Sequence, residues 1–322
     1  MKRRTKLRGV LYRACLLAGK EILRHYRSGM RPNRNDSRVV KSWSSRIKDS
    51  RDPRTIVTSA DIDSDRVLIS ELKRSGLNCA VLSEEGATLP IERNHRYRVI
   101  IDPLDGSKNF ADGTLGLFGI SVGVEEAGRL VAGAIYLPCF GEMLLSEVGE
   151  GTLLKRRVTG DHFRTIKLSR LSVLNRKVAL SMARICVGRG SADPKVLTSG
   201  PVARLIRSCS EAVNFASCSV GLACVALGRI QGLVLSNQKY WDFAGGCAIF
   251  RELGMPFGIW RSRGGQPASE GSLGGPRGDS EYDIVAAATY PLFREIVGTL
   301  NGYNSRRDPE TWKTFARRPR AR

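Results

Sequence analysis

Two aspartates, Asp102 and Asp105, follow directly after a short apolar run in the first third of the chain. That run, residues 99–101, predicts a buried strand. The Pro103 ring biases the residue before it towards extended geometry, and Gly106 permits a sharp reversal, so a turn should end the strand. Open sheets place ligands at the carboxyl ends of their strands. We therefore expect the two carboxylates at a ligand-binding edge.

Two further acidic residues occupy similar positions. Glu84 follows an apolar strand predicted over 79–82, and Asp242 opens an apolar helical stretch. With Asp102 and Asp105 they form a ligand set of oxygen atoms alone, which suits Mg²⁺ or Mn²⁺ better than zinc or copper. Carboxylates crowded together would repel one another unless cations lay between them. The sequence thus predicts a site for more than one metal ion.

Four motifs in a fixed order resemble those of a known family. They are Thr58-Ser59-Ala60-Asp61, Leu82-Ser83-Glu84-Glu85-Gly86, Asp102-Pro103-Leu104-Asp105-Gly106-Ser107 and Trp241-Asp242-Phe243-Ala244-Gly245-Gly246. With these motifs the chain resembles the inositol monophosphatase family of metal-dependent phosphatases over residues 10–300. The superfamily also contains fructose-1,6-bisphosphatases and 3'-phosphoadenosine-5'-phosphate nucleotidases.

The resemblance implies a set of metal ligands. Glu84, Asp102 and the Leu104 carbonyl would hold a first ion, and Asp102, Asp105 and Asp242 would share a second. The family leads us to expect two or three Mg²⁺ ions per site. Lithium should inhibit by taking one of these positions.

The resemblance also implies a catalytic pair. Asp61 and Ser107 match the aspartate and threonine that orient the attacking water in the family, with serine keeping the hydroxyl. We place Glu84 with them in the catalytic set. The implied mechanism is in-line displacement on a phosphate monoester, in which one metal ion lowers the pKa of the water and another stabilises the leaving alkoxide. The N–H groups of Gly106 and Ser107 would hold phosphate oxygens.

The substrate-contacting residues depart in part from the family pattern. The segment 207–213 resembles the family's sugar-contacting segment, with Ser210 and Ala212 at the positions of its backbone contacts. Asp242 belongs to the expected substrate-binding set as well as to the metal ligands. Leu235 stands where animal inositol monophosphatases have an acidic residue that binds inositol hydroxyls. This departure leaves the substrate open.

Several functions therefore remain possible. The leading hypothesis is a Mg²⁺-dependent phosphatase of small phosphorylated polyols. Lys108, another expected substrate-binding residue, follows Asp-Gly-Ser much as lysine follows Asp-Gly-Thr in the bisphosphate nucleotidases, which makes a nucleotidase the second hypothesis. A sugar bisphosphatase is the third. An RNA- or protein-binding factor that keeps the phosphatase fold is an alternative from a different class.

The chain is strongly basic, with a formal net charge of +21 over 322 residues. Most of this charge lies in residues 1–41 and 303–322. Clustered positive charge can recruit nucleic acid or an anionic membrane, and it would also attract phosphorylated substrates. A general bias towards arginine would produce the same balance without any such partner.

The sequence also indicates a cellular location and an assembly. No apolar run is long enough to cross a bilayer, and residues 11–17 are too short and interrupted for a signal-peptide core, so we expect a cytoplasmic protein. The eight cysteines lack Cys-x-x-Cys pairs and predict free, buried thiols. Members of the family are often dimers, and a homodimer is possible here.

The histidines do not suggest a catalytic role. His25, His95 and His162 lie far along the chain from the acidic motifs. We therefore expect neither a histidine-based triad nor a zinc site, and we interpret each imidazole as a surface or hydrogen-bonded residue.

Hydrophobic periodicity predicts alternating helices and strands. The predicted helices span 5–27, 61–75, 211–227, 242–253 and 291–300, with Ser107 as the N-cap of a short one. Strands are predicted at 79–82, 99–101, 118–124, 130–137, 142–148, 178–182, 232–236, 256–260 and 284–288, the middle ones as an antiparallel meander. Loops are predicted at 28–54, 155–176 and 262–280.

These elements indicate an α/β (α+β) protein with strands in both halves. The resemblance implies a layered α-β-α-β-α sandwich of the inositol monophosphatase and fructose-1,6-bisphosphatase type. We expect an N-terminal α+β half over 1–160 with the first three motifs, a C-terminal α/β half over 161–302 with the Trp241-Asp242 motif, and a disordered basic tail over 303–322.

Overall fold

The structure is a computed structural model of the 322-residue chain. It describes residues 7–29, 32–33, 36–39, 45–49, 52–86, 95–113, 116–169, 178–189, 200–262, 265–268, 273 and 280–301. For residues 29–56 only the backbone of these ranges is described. The predicted basic tail and most of the predicted loop at 262–280 fall outside these residues.

Seven α-helices lie within the described residues, and each contains apolar residues that pack against the rest of the fold. They are α1 (Leu7–Gly29), α2 (Ser59–Arg74), α3 (Ser107–Asp112), α4 (Gly200–Ser208), α5 (Cys218–Ala226), α6 (Tyr240–Leu253) and α7 (Tyr290–Asn301). A single 3-10 turn covers Leu180–Met182.

The described strands form two large sheets and two short ribbons. The ribbon strands are β1 (Pro32–Asn33), β2 (Asp36–Val39), β3 (Ser45–Asp49) and β4 (Asp52–Thr58). The first large sheet contains β5 (Cys79–Ser83), β6 (Tyr97–Asp105), β7 (Gly119–Glu126), β8 (Arg129–Leu137), β9 (Glu142–Glu147), β10 (Gly151–Thr159) and β11 (His162–Leu168). The second contains β12 (Arg184–Arg189), β13 (Glu211–Val213), β14 (Gly232–Gln238), β15 (Phe257–Arg261) and β16 (Tyr282–Ala287).

The two large sheets differ in topology. The first has the order β11-β10-β9-β8-β7-β6-β5, in which β7 to β9 are the predicted antiparallel meander, β6, β10 and β11 extend it, and β5 joins β6 in parallel. The second has the order β13-β12-β14-β16-β15, with parallel pairs around β12 and antiparallel pairs around β16.

Helices and sheets alternate in five layers, which confirms the predicted sandwich. Helices α1 and α2 cover one face of the first sheet, α5 and α6 lie between the two sheets, and α4 and α7 cover the far face of the second sheet. Three apolar cores fill the spaces between these layers. Burial of an apolar face on each sheet surface is the main favourable term that holds such layers together.

The predicted connection over 155–176 is wrong in its first part. The chain there forms the β10–β11 hairpin, whose strands continue the first sheet as far as Leu168. Leu154 pairs with Ile166 on the face towards the inter-sheet core, while the neighbouring Lys155 and Lys167 lie on the opposite face. Because many residues of this segment are charged, the alternation typical of a strand was not recognised in the sequence. The division of the chain at residue 160 stays a prediction.

Four other local predictions need correction. The strand predicted at 178–182 is a 3-10 turn, and the strand itself begins at Arg184. The single helix predicted over 211–227 is instead strand β13, a loop and helix α5, because Ser217 caps a new helix with its side chain. Backbone pairing gives short strands in the loop predicted at 28–54. Helix α4 was not predicted at all.

Helix α6 approaches the first sheet through glycine. A Cβ added at Gly245 would lie 2.5 Å from the Ala134 carbonyl oxygen and 2.9 Å from the Val122 carbonyl oxygen. These distances are far shorter than a normal carbon–oxygen contact, and backbone atoms on neighbouring strands cannot move aside cheaply. Glycine is therefore required for the packing of the helix that begins with the Trp241-Asp242 motif.

We predict that Gly245→Ala destabilises the protein by about 1–3 kcal/mol, the range for inserting a methyl group into a well-packed core. Gly298→Ala on α7 is the matched control, because a Cβ there meets nothing within 4 Å. That control should stabilise by about 0.5–1 kcal/mol through helix propensity. Urea unfolding monitored by circular dichroism measures both, and equal effects of the same sign would contradict the packing argument.

Candidate metal centre

Three carboxylates from distant parts of the chain meet at the end of the first sheet. Oxygen atoms of Glu84, Asp102 and Asp242 all lie within 4.8 Å of one another. The first two meet because β5 and β6 are parallel and in register, with Ser83 beside Ile101. The Glu84 N–H donates to the Ile101 carbonyl oxygen at 3.1 Å and extends this pairing by one residue.

Asp242 reaches the cluster from the first turn of α6. Its Oδ2 accepts a hydrogen bond from the Lys239 N–H at 2.8 Å, which caps the helix and fixes the carboxylate. Burial raises the pKa of Asp242 well above its usual range, and the neighbouring charges of Glu84 and Asp105 raise it further. The carboxylates therefore repel one another when all of them are ionised.

Asp105 is held by the N-terminus of α5. Its Oδ2 accepts hydrogen bonds from the Ser217 hydroxyl and the Ser219 N–H, both at 2.5 Å, and its Oδ1 accepts one from the Cys218 N–H at 3.2 Å. Burial raises the pKa of Asp105, and these hydrogen bonds oppose that shift. The helix end favours a negative charge at this position.

The turn after Asp102 is compact and fixed from both sides. The Leu104 N–H donates to Asp102 Oδ1 at 3.0 Å, and the Ser64 hydroxyl of α2 donates to the Pro103 carbonyl oxygen at 2.8 Å. Gly106 follows with a φ of +89°, and a Cβ there would lie 3.0 Å from the Leu117 carbonyl oxygen. Glycine is needed here for both reasons.

Gly106, rather than the predicted Ser107, is the N-cap of α3. Ser107 is the first helical residue, and its hydroxyl is directed towards Asp61 instead of towards the helix backbone. The Ser107 Oγ donates to Asp61 Oδ1 at 2.6 Å and also lies 2.9 Å from the Leu104 carbonyl oxygen. The hydroxyl is therefore placed beside the turn that holds the carboxylates.

Asp61 is buried and rigidly oriented at the start of α2. Its Oδ2 accepts hydrogen bonds from the Thr58 N–H at 2.7 Å and from the Thr58 hydroxyl at 2.6 Å, which completes a capping box. Oδ1 is left for Ser107. A hydroxyl that donates to a fixed carboxylate presents its lone pairs outward, where they can accept a hydrogen bond from water.

The donor set fits a hard divalent cation. Glu84, Asp102 and Asp242 offer carboxylate oxygens, and the Leu104 carbonyl oxygen and Asp105 adjoin them in the same turn. Such oxygen ligands are those that Mg²⁺ takes in proteins. A cation would also relieve the repulsion that raises the pKa of Asp242. The number of ions stays a prediction.

Three of the expected substrate-binding residues have partners close by in the fold. The Lys108 ammonium is exposed and pairs with Asp112 of its own helix at 3.0 Å. The Ser210 N–H donates to the Ala183 carbonyl oxygen at 3.0 Å, and Ala212 pairs with Ile185 in the second sheet.

Sequence reasoning missed the residues that adjoin the site from this part of the chain. Ser217, Cys218 and Ser219 contact Asp105, and the Asn109 side chain donates to the Phe215 carbonyl oxygen at 2.7 Å, which fixes the loop. A serine before an apolar run is an N-cap signal, and reading Ser217 in that way would have found them.

The structure also shows what surrounds Leu235 and Glu85. Leu235 is buried in β14, where its side chain packs over Gly188 as part of the inter-sheet core. The Glu85 N–H lies 3.4 Å from the Ser83 hydroxyl.

The cysteines and histidines are mainly as expected. All eight cysteines are free thiols, five of them buried, and Cys139 is exposed. His25 lies between the carboxylates of Glu21 and Asp63, at 3.4 Å and 2.9 Å from its Nε2. Its imidazole is thus a hydrogen-bonded one, as expected from the sequence. None of the helices in the described ranges has the length and apolarity of a membrane span.

Comparisons with known proteins all point to the same family. The model of the inositol monophosphatase family matches residues 4–297. The inositol-1-monophosphatase of Rhizobium meliloti is 30% identical over 280 residues, which cover 84% of this chain and 91% of that protein. The Nus factor SuhB of Pasteurella multocida is 28% identical over 200 residues, which cover 62% of this chain and 69% of that protein.

Solved structures share the fold. Extragenic suppressor protein SuhB of Bartonella henselae has a TM-score of 0.71 at 23% identity and covers 92% of this chain and 98% of its own. Inositol monophosphatase II of Staphylococcus aureus has a TM-score of 0.66 at 20% identity, covering 93% and 95%. Structures of SaIMPase-II hold inositol monophosphate in one complex and 2'AMP in another.

We predict that Asp242→Asn stabilises the protein at neutral pH in the presence of chelator. Because the pKa of Asp242 is raised in the folded state, its ionisation costs stability as pH rises above the usual carboxylate range. The wild type should therefore lose stability between about pH 4 and 7, and the variant should lose less.

Magnesium should reverse this order. Saturating Mg²⁺ at 100 times its Kd stabilises the wild type by about 2.7 kcal/mol, and the variant should lose most of this gain. Thermal unfolding with chelator and with Mg²⁺ at several pH values measures both effects. A variant that is less stable than the wild type in chelator at pH 7 would contradict the repulsion argument.

Proposed function

Since the chain belongs to the inositol monophosphatase family and has its phosphatase fold, we propose that it is a Mg²⁺-dependent phosphomonoesterase of small phosphorylated polyols such as inositol monophosphate. The observation that supports this most is the adjacency of two groups. The carboxylate cluster of Glu84, Asp102 and Asp242 lies beside the turn that the Ser107 hydroxyl contacts at the Leu104 carbonyl, and the same hydroxyl donates to Asp61.

The residues that would hold Mg²⁺ are those of the cluster and its turn. Glu84, Asp102 and the Leu104 carbonyl form one set, and Asp102, Asp105 and Asp242 form the other. Bound Mg²⁺ supplies two kinds of chemistry, a lower pKa for the attacking water and charge neutralisation at the leaving oxygen. By its family the enzyme should be inhibited by lithium.

Asp61 and Ser107 would orient the attacking water. The Ser107 hydroxyl donates to Asp61 Oδ1, so its oxygen can accept a hydrogen bond from the water. Asp61 is fixed in place by two hydrogen bonds from Thr58. The water oxygen then forms a bond to phosphorus while the bond from phosphorus to the alcohol oxygen breaks.

The start of α3 would bind the phosphate. The first N–H groups of a helix have no partner within the helix and point towards an anion at that end. Those of Gly106 and Ser107 lie one and two residues beyond Asp105. Lys108 would assist only if its ammonium left Asp112, so we give it a smaller part than the sequence suggested.

We further propose that the enzyme acts in the cytoplasm. Eight free thiols are typical of a reducing compartment, where disulfides do not persist. A homodimer stays a prediction from the family.

A second candidate is a nucleotidase, including one that acts on 3'(2'),5'-bisphosphates. Leu235 is apolar and buried, so it offers no acceptor to inositol hydroxyls. A structural neighbour with the same fold binds 2'AMP as well as inositol monophosphate. An apolar wall is compatible with a base or a sugar as readily as with inositol.

A binding factor is the candidate from another class. Relatives of 27–28% identity are named Nus factor SuhB, and the net charge of +21 would favour an anionic partner such as RNA. RNA binding that falls with salt and is unaffected by substitution of Asp61 would identify such a role as separate from catalysis.

Our main functional prediction concerns Ser107. Chelation should abolish phosphate release from inositol monophosphate, and Mg²⁺ should restore it. The substitution Ser107→Ala should lower kcat by about 100-fold or more, with little change in Mg²⁺ affinity. Ser107→Thr keeps the hydroxyl and should stay within about tenfold of wild type.

Ser28→Ala is the matched control. The Ser28 hydroxyl is exposed and donates to the His25 carbonyl oxygen at 2.8 Å, and Ser28 belongs to neither the carboxylate cluster nor the water-orienting pair, so its loss should leave kcat unchanged. Full activity of Ser107→Ala would refute the water-orienting role. Phosphate release that persists in excess chelator would refute the metal-dependent function itself.

The absence of an acidic residue at Leu235 predicts a broad substrate profile. Weak pocket contacts discriminate by about 100-fold or less, whereas a lost buried hydrogen bond discriminates far more strongly. The values of kcat/KM for inositol monophosphate, sugar phosphates, 2'AMP and a 3',5'-bisphosphate nucleotide should therefore lie within about 100-fold of one another. Strict selectivity for inositol monophosphate would show that another residue supplies the acceptor.

A further inference from the structure

A second group of ligand-type side chains lies where α1 crosses the start of α2. Glu21, His25 and Asp63 each direct one atom to a common point, with the three atoms within 4.8 Å of one another. Glu21 and His25 are four residues apart and so share one face of α1. Asp63 comes from α2, two residues after Asp61.

The spacing of these atoms matches that of metal ligands. His25 Nε2 lies 2.9 Å from Asp63 Oδ2 and 3.4 Å from Glu21 Oε1. Tetrahedral ligands with bonds of 2.0–2.1 Å are separated by about 3.3 Å. The two measured separations are close to this value.

The imidazole is also oriented from its other side. His25 Nδ1 lies 3.5 Å from the Ser59 hydroxyl, which can accept a hydrogen bond from an N–H at Nδ1. In that tautomer the lone pair is on Nε2, which faces Glu21 and Asp63. Metal-binding histidines are usually oriented by such a partner on the second ring nitrogen. The His25 side chain is only 13% exposed, so its orientation is also restricted by packing.

Two arginines compete for the carboxylates, but from solvent. Arg24 pairs with Glu21, and Arg66 pairs with Asp63 at 3.1 Å. Their side chains are 61% and 75% exposed, against 25% and 32% for the carboxylates. Exposed pairs of this kind contribute little stability, so a divalent cation could displace them. Arg24 Nη2 lies 3.1 Å from His25 Nε2, so this guanidinium has to swing away into solvent when a cation binds.

We propose that Glu21, His25 and Asp63 bind one borderline divalent cation of the Zn²⁺ class, with water completing its coordination. The imidazole distinguishes this site from the oxygen-only cluster of Glu84 and Asp102, because nitrogen ligands favour zinc over magnesium. The ion ties α1 to the first turns of α2, the helix whose capping box fixes Asp61. The site stabilises the structure from outside the catalytic centre.

Zinc binding to the full-length protein tests this proposal. Wild type freed of metal by chelator is dialysed against Zn²⁺ with Mg²⁺ in excess, and bound zinc is counted per chain. Zinc taken up at the carboxylate cluster or at cysteines is common to all variants, so the difference between variants is informative. His25→Gln and Asp63→Asn should each lose one zinc ion per chain, or bind it at least about 100-fold more weakly.

His162→Gln is the matched control, since this histidine lies exposed on β11 and should change nothing. At 100 times its Kd, zinc should also raise the unfolding temperature of wild type by about 5 °C more than that of His25→Gln. Circular dichroism in chelator verifies that each variant folds, and Glu21→Gln replaces one that does not. Equal zinc counts and equal temperature shifts in wild type and the folded variants would overturn the proposal.

Discussion

Mutual repulsion among carboxylates is the constraint on which the rest of this structure depends. Glu84, Asp102 and Asp242 converge to within 4.8 Å, and burial together with neighbouring charge raises the pKa of Asp242. Bringing such groups together costs free energy unless cations or hydrogen-bond donors compensate. The fold supplies hydrogen-bond donors, and we propose that bound cations supply the remaining compensation.

Each acidic group is fixed by a different element, and these anchors connect the layers of the sandwich. Asp105 accepts three hydrogen bonds at the N-terminus of α5, Asp242 caps α6, and Asp61 caps α2. Helices α5 and α6 lie between the sheets, so both sheets contribute to the position of the site. Glycine at position 245 lets α6 approach the first sheet closely. The packing and the chemistry are therefore coupled.

Local sequence signals predicted most of the fold and the carboxylate set, because strands, caps and turns depend on neighbouring residues. The meander, α2 and α6 were all evident from periodicity. Failures arose where the answer depended on distant partners. Ser217 adjoins Asp105 across more than a hundred residues of chain, and Glu21 and His25 meet Asp63 only when α1 packs on α2. The spacing of residues along the sequence does not show which distant residues are in contact in the fold.

The central claim is that Glu84, Asp102 and Asp242 form the cation site of a phosphatase. A crystal of the protein grown with Mn²⁺ in place of Mg²⁺, measured for anomalous scattering, tests it most directly. The account predicts an anomalous peak at bonding distance, about 2.0–2.3 Å, from oxygen atoms of Glu84 and Asp102. Crystals that hold Mn²⁺ elsewhere but show no peak at this cluster, from protein that hydrolyses inositol monophosphate with Mn²⁺, would contradict it.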